Sequence, residues 1–283
     1  MDAVRWEHRP QLRRPVLLAA FEGWNDAGDA ASTAARYVAA AWDARTFAAL
    51  DPEEFYDFTA TRPQVRLQDG LTRRIVWPRV ELQAASAPGS AHDIVILHGS
   101  EPQLRWRTFC DLLVALVKEL RVEMVLTLGA LLVDVAHTRP VRVTGTAADA
   151  DLVARLGLRR SRYEGPTGIV GVLHDALARA SIPAASLWAA VPHYVHQTPS
   201  PKATLALVER ATALLGTHVD VVDLQVAAAS YERQVSELVA LDEDLAAYVA
   251  RLEESEQDEE AEVASGDTLA AEVERFLKDH GRE

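Results

Sequence analysis

The aliphatic run Val16-Leu17-Leu18-Ala19-Ala20 ends in the small polar loop Phe21-Glu22-Gly23-Trp24-Asn25-Asp26, and an alanine-rich helical stretch from Asp29 to Trp42 follows it. A run without a polar face suits a strand buried on both sides, and strand, loop and helix in succession form the unit from which open α/β sheets are built. In such sheets the loop lies at the carboxyl edge of the strands, where ligands sit and where helix amino termini direct free N–H groups outward. Glu22, Asn25 and Asp26 are therefore the first candidate cleft residues, with Gly23 and Gly28 there for conformation or close approach.

The alternation continues along the chain. Arg45 to Leu50 reads as a second strand, and the aromatic segment Phe55-Tyr56-Asp57-Phe58 follows. Val65 to Leu67 and Arg73 to Trp77 flank Asp69-Gly70, which supplies the positive φ of a tight turn, and together they predict a hairpin. Ile94 to Leu97 is a core strand, Gly99-Ser100-Glu101-Pro102 its exit loop and Leu104 to Leu120 its helix. Val122 to Leu128 predicts a buried strand ending at Gly129, Val141 to Thr144 a shorter one, and Ser186 to Val191 the last. Tyr163-Glu164-Gly165-Pro166-Thr167-Gly168 opens a helix running to Arg179. Ser200 and Pro201 form an N-cap and first-turn pair for a helix to Leu215, which Gly216 stops. Residues 1–219 are thus expected to form an α/β core with a mostly parallel sheet covered on both faces.

A different pattern begins near Asp220. Tyr231, Val235, Leu238, Leu241, Leu245, Tyr248 and Leu252 recur at spacings of three and four, which predicts one long amphipathic helix within residues 220–252. That stripe must be buried on the core, on a neighbouring helix or on another subunit, and it makes these residues candidate interaction residues. Residues 253–283 open with the like-charge run Glu253 to Glu260, expected to be a solvated linker, and continue with a short helical pattern through Leu269, Val273, Phe276 and Leu277.

Composition narrows the function classes. The formal net charge of the 283 residues is −13 and the pI is near 5.2, so phosphate backbones and anionic membranes are repelled at long range and nucleic acid is not an expected partner. Cys110 is the single cysteine, which excludes an internal disulfide and suits a reducing, cytoplasmic setting; no secretory signal or membrane span is read from the sequence.

Complete catalytic sets are missing from the motifs. Gly99-Ser100-Glu101 lacks the second glycine of a nucleophile elbow, so Ser100 is expected to cap a helix, although the same loop could bind an anion. His193 and His196 have no cysteine or His-Glu-x-x-His context, so no metal and no cofactor is expected. His137, beside Thr138 and Arg139, follows a strand and could line the same cleft as Asn25. Glu22, Asp26, Glu101 and Glu164 could converge there as an acid and base pair, or instead cap helices and pair with arginines such as Arg139. Tyr163 and Thr167 border the same edge.

The motif Phe21-Glu22-Gly23-Trp24-Asn25-Asp26-Ala27-Gly28 resembles the opening signature of the proteasome assembly chaperone 2 family, bacterial branch. The likeness extends through Gly99-Ser100-Glu101-Pro102, Leu128-Gly129-Ala130, Asp134 to Pro140, Tyr163 to Ile169, Ala190 to Tyr194 and the helix from Tyr231. It implies a three-layer α/β/α domain similar to purine nucleoside phosphorylases, with a helical addition at the C-terminus. It also implies protein partners, proteasome subunits among them, and a homo-oligomer, with a trimer as first guess. The final residues Asp279-His280-Gly281-Arg282-Glu283 lack the hydrophobic-tyrosine tail of ring-binding archaeal relatives.

Two function classes follow. One is a non-catalytic assembly chaperone or interaction protein. The other is a hydrolase or phosphorylase acting on a small nucleoside-like or glycosidic substrate in the rim cleft. Asn25, Glu101, His137 and Glu164 around a closed pocket would favour the enzyme, and a shallow rim whose residues are satisfied by backbone groups would favour the interaction protein.

Overall fold

The computed structural model describes residues 3–160 and 163–255. Its centre is four parallel strands, β7 (Asp93–Ser100), β2 (Val16–Glu22), β8 (Met124–Val133) and β10 (Ala184–Pro192), hydrogen-bonded in that order. Antiparallel strands extend the sheet at both flanks. On one side lie β6 (Val80–Ser86), β3 (Arg45–Leu50) and β1 (Val4–Trp6), and on the other β9 (Val143–Ala147), which completes an eight-stranded sheet. Two antiparallel steps separate β3 from β7, so β3 points the same way as the central four.

Strand β2 shows why this arrangement suits the sequence. Val16, Leu18 and Ala20 face one core cluster and Leu17, Ala19 and Phe21 the other, because successive side chains of a strand alternate faces. On the first face pack α1 (Ala30–Ala41) and α5 (Pro201–Leu214), through small residues such as Ala31, Ala34, Ala35 and Ala203. On the second pack α2 (Trp106–Glu119) and α4 (Ile169–Arg179), through Phe109, Leu113, Leu173 and Leu177. Cys110 is buried in this second cluster as one more small apolar group. The result is the expected three-layer α/β/α fold.

Several boundaries differ from the sequence expectation. Strand β8 does not stop at Gly129 but runs on to Val133. A Cβ at Gly129 would sit 2.3 Å from the Trp188 ring of β10, so the glycine makes room for an indole rather than ending the strand. Strands β1 and β6 and the short helix α3 (Ala150–Leu156) carry no strong periodic signal and were not expected. The predicted hairpin forms as β4 (Gln64–Gln68) and β5 (Thr72–Val76), with Asp69 and Gly70 at φ 54° and 73°.

The long C-terminal helix is broken in two. Helix α6 (Val222–Ala240) ends at Leu241, and a second helix, α7, spans 243–255. Asp242 causes the break: its Oδ1 accepts from the backbone N–H groups of Asp244 and Leu245 at 3.0 and 3.1 Å, an N-cap that starts α7 afresh. The two helices fold back on each other, so Tyr231, Val235, Val239, Val249 and Leu252 are buried within the chain, with Leu245 and Tyr248 packed at their edge. Leu238 and Leu241 are left exposed. The stripe is therefore covered by its own chain rather than offered to another subunit, except at the α6–α7 corner. The acidic run beyond Ser255 and the pattern from Leu269 to Leu277 lie outside the described residues.

The glycine at position 129 yields a direct test. Gly129→Ala should destabilise the fold by about 1–3 kcal/mol through overpacking against Trp188, read as a lower urea midpoint with an altered indole emission.

Candidate functional site

The central strands all end at one edge, and the residues that leave them form a continuous polar network. Glu22 and Ser100 close β2 and β7 in register. Ser100 Oγ donates to Glu22 Oε2 at 3.0 Å, and Arg36 of α1 donates to Glu22 Oε1 at 2.8 Å. The buried Tyr56 hydroxyl donates to the Ser100 carbonyl at 2.5 Å. Ser100 is thus held by a carboxylate and a phenol. Among the described residues its hydroxyl neither caps a helix nor bonds to an imidazole.

Glu101 is the centre of the next group. Its backbone N–H donates to the Glu22 carbonyl at 2.8 Å, while its Oε1 accepts from Asn25 Nδ2 at 3.0 Å and from the Ile169 N–H at the start of α4 at 2.8 Å. Asn25 is buried, and its backbone carbonyl accepts from the Ala130 N–H of β8 at 2.8 Å. One asparagine and one glutamate therefore join the ends of β2, β7 and β8 to the amino terminus of α4. Gly168 makes the approach possible, since a Cβ there would lie 2.5 Å from Asn25 Nδ2 and 2.8 Å from Glu101 Oε1.

Asp26 turns inward. Its Oδ1 accepts from the N–H groups of Ala31 and Ser32 at 2.7 and 3.1 Å, which caps α1, and its buried Oδ2 has no hydrogen-bond partner among the described residues. Burial pushes the Asp26 carboxyl above the usual range, with its N–H bonds opposing the shift. The free N–H groups of α1 and α4, the positive ends that attract anions in this architecture, are thus each met by a carboxylate of the chain itself.

His137 belongs to a different network. Its backbone N–H donates to the Tyr194 hydroxyl at 2.8 Å, Nδ1 lies 2.8 Å from the same oxygen, and Nε2 lies 2.9 Å from Ser236 Oγ. Ser236 donates its proton to the Glu232 carbonyl at 2.8 Å, so its oxygen accepts from His137. That assigns the proton to Nε2 and makes Nδ1 the acceptor of the Tyr194 O–H. Burial, with Lys202 nearby, lowers the His137 pKa and keeps this ring neutral. Lys202 donates to the His137 carbonyl at 2.6 Å and pairs with Glu232, while Arg139 donates to the Glu253 carbonyl at 3.1 Å. Tyr248 donates to Asp134 at 2.8 Å. The loop after β8 is in this way fastened to α6 and α7. The cavity beside His137 and Arg139 measures about 10 Å³, the room of one water rather than of a metabolite.

The expected cleft residues therefore separate. Glu22, Asn25, Ser100 and Glu101 meet at the rim, and Gly99 shapes it, since a Cβ there would strike the Arg79 carbonyl at 2.2 Å. His137 and Arg139 serve the helical arm. Glu164 and Thr167 are exposed, and so is Tyr163, whose hydroxyl donates to the Pro166 carbonyl at 2.8 Å. Arg36, Tyr56 and His98 were missed. His98 had a signal, as a polar residue in the otherwise apolar run before Gly99; burial lowers its pKa, and Glu81, Arg36 and Glu22 are the charges around it. Trp24, Leu104, Leu131 and Leu132 are large apolar side chains exposed along the same edge.

Comparison with known proteins follows from this geometry. The sequence matches the PAC2 family over residues 20–239. The chain belongs to the PAC2 family. A PAC2 family protein from Streptomyces avermitilis is 49% identical with a TM-score of 0.77, the match covering 83% of this chain and 99% of that one. A proteasome-assembly chaperone homologue of Mycobacterium tuberculosis is likewise 49% identical, with a TM-score of 0.75 and the same coverage of both chains. The archaeal proteasome activator PbaB of Pyrococcus furiosus shares the fold at 18% identity, with a TM-score of 0.67 over 83% of this chain and 97% of that one. No curated protein matches the sequence. The PAC2 match takes in the whole rim and α6 up to Val239, and leaves α7 outside it. No helix among the described residues is long and apolar enough to cross a membrane.

Two outcomes test these roles. Asn25→Ala removes the bond to Glu101 and should cost about 1–2 kcal/mol of stability in urea unfolding. For His137 the unfolded ring binds protons that the folded ring refuses. Stability should therefore be fully present above the ordinary histidine pKa and fall as pH drops below about 6.5. His137→Gln should flatten part of that decline in unfolding curves taken from pH 7 to pH 5.

Proposed function

We propose that this PAC2 protein is a non-catalytic binding protein of the assembly-chaperone kind, working in the cytoplasm as a homo-oligomer, with proteasome subunits as its partners. The observation that carries the reading is the pair of carboxylates, Asp26 and Glu101, seated on the amino termini of α1 and α4. A phosphorylase on this fold would hold its substrate phosphate at such positions, and here they are filled by bonds that also hold the loops together. Ser100 is bonded to Glu22 and His137 to the helical arm, so the polar side chains at the rim are engaged with one another rather than converging on a substrate.

What the rim offers outward is apolar. Trp24, Leu104 and Tyr163 stand exposed around the rigid polar network, and large exposed aromatic groups beside charged ones are the anchors that protein interfaces favour. The 49% identity to a proteasome-assembly chaperone homologue supports proteasome components as the partner class. The net charge of −13 argues for protein rather than nucleic acid.

The test uses purified proteasome α and β subunits from the source organism, mixed with the full chain and followed by native electrophoresis and light scattering. We expect a complex with unassembled subunits or half-proteasomes, and Trp24→Ala with Tyr163→Ala should weaken it by about tenfold or more while leaving the melting temperature unchanged. Absence of binding to any of these species at micromolar concentration would overturn the partner. Turnover of nucleosides or glycosides that is lost in Glu101→Gln would overturn the non-catalytic reading.

A further inference from the structure

The β4–β5 hairpin is the least supported part of the fold. It pairs with no other strand, and every residue of both strands is exposed. A two-stranded hairpin on its own is marginal in water, so one of its faces must find cover. The register assigns each residue to one of two faces. Val65, Leu67 and Ile75 share one with Arg73, which pairs with Leu67, and with Trp77, which packs on Phe58, while Arg66 and Arg74 lie directly opposite each other on the second beside Val76. Among the described residues none of Arg66, Arg73 and Arg74 has an ion-pair partner. Residues 62–79 hold five arginines against one aspartate, a net +4 in a chain of net −13. The groove beside the hairpin, between Leu67, Trp77 and Arg79, measures about 450 Å³.

The complementary surface is on the same chain. At the α6–α7 corner Leu238 and Leu241 are exposed, and Glu237, Asp242, Glu243 and Asp244 surround them without one basic residue from 237 to 244. Among the described residues none of the four carboxylates is in an ion pair. Corner and hairpin lie on opposite flanks of the carboxyl edge. The hairpin leaves between β3 and β6, whereas α6 and α7 pack on Ala136, Tyr194 and Val195, beyond the ends of β8 and β10.

We infer that the β4–β5 hairpin of one copy docks on the α6–α7 corner of a second copy, its apolar face on Leu238 and Leu241 and Arg73, which shares that face, among the corner carboxylates. Because the two patches differ, the contact is head to tail, and it builds a ring where the rotation from copy to copy closes. It specifies the self-association proposed above but does not depend on which protein the ring serves.

Sedimentation equilibrium of the full chain tests it with three variants: Arg73→Glu, Glu243→Lys, and both together. Asp242 is left intact because it caps α7. Wild type should be a multimer; each reversal alone should weaken association by about tenfold, and the charge swap should restore it. Melting temperatures should stay level, since both side chains are exposed. A monomeric wild type would overturn both this inference and the homo-oligomer. A wild-type multimer that either reversal leaves intact would keep the homo-oligomer and overturn this interface, as would failure of the swap to restore association.

Discussion

Parallel strands with helices on both faces send every connection to one edge, and at that edge each following helix presents N–H groups that no intrahelical carbonyl satisfies. Where those groups are buried they need acceptors, and in this protein the acceptors are the chain's own carboxylates. Asp26 answers α1 and Glu101 answers α4. Because Glu101 is also bonded to Asn25, whose backbone carbonyl is bonded to β8, satisfying α4 simultaneously locks three loops. The rim is stiff for that reason, and the same bonds that stiffen it consume the donors a small anionic substrate would need.

The helical arm is attached by different means. The cluster between α6, α7 and the loop after β8 is small beside the two cores of the sheet, so apolar burial contributes less to its docking. Much of the specificity lies in the chain Tyr194, His137, Ser236 and Glu232, which runs in one proton order only when His137 is neutral. A buried polar chain of this kind fixes position well when every member is satisfied and fails as a unit when one is not. The rim and the arm are thus held by separate polar networks that respond to different changes.

The strand-loop-helix rhythm was legible because burial on both faces leaves central strands with no polar residue to obscure them, as in Val16 to Ala20, and because Asp69-Gly70 and Ser200-Pro201 have few other conformations to adopt. Of the flanking strands β3 and β9 were legible, and β1 and β6 were not. In β6, Val80 and Leu82 are buried among half-exposed neighbours with a composition no different from a loop. Gly129 misled because its reason lies on another strand, in the Trp188 ring. The α6–α7 break was present locally as Asp242, yet an unbroken spacing of apolar residues concealed it, and folding back replaced Leu238 and Leu241 with Val239 and Val249 in the core. At the rim the residue types were readable but their partners were not. Nothing in the sequence distinguishes Asn25, which bridges to Glu101, from Asp26 next to it, which points inward to cap α1. His137 was grouped with Asn25 because both follow central strands, and only the fold shows that α6 reaches His137 first.

Satisfied and unsatisfied groups are unevenly distributed over this molecule, and the unevenness indicates where free energy of association resides. A polar group already paired within the chain gains little from a partner, since binding would exchange one good bond for another. The rim network and the arm network are of that kind. The hairpin is the opposite case: Val65, Leu67 and Ile75 are in water with Arg73 on the same face, and covering that face requires something brought from outside the hairpin. Trp24 and Tyr163 at the rim are also exposed, but they stand on a rigid base that is stable without them being covered. A chain built this way keeps its polar networks paired and carries its uncovered apolar groups on projecting elements, which is the division of labour the proposed binding role calls for.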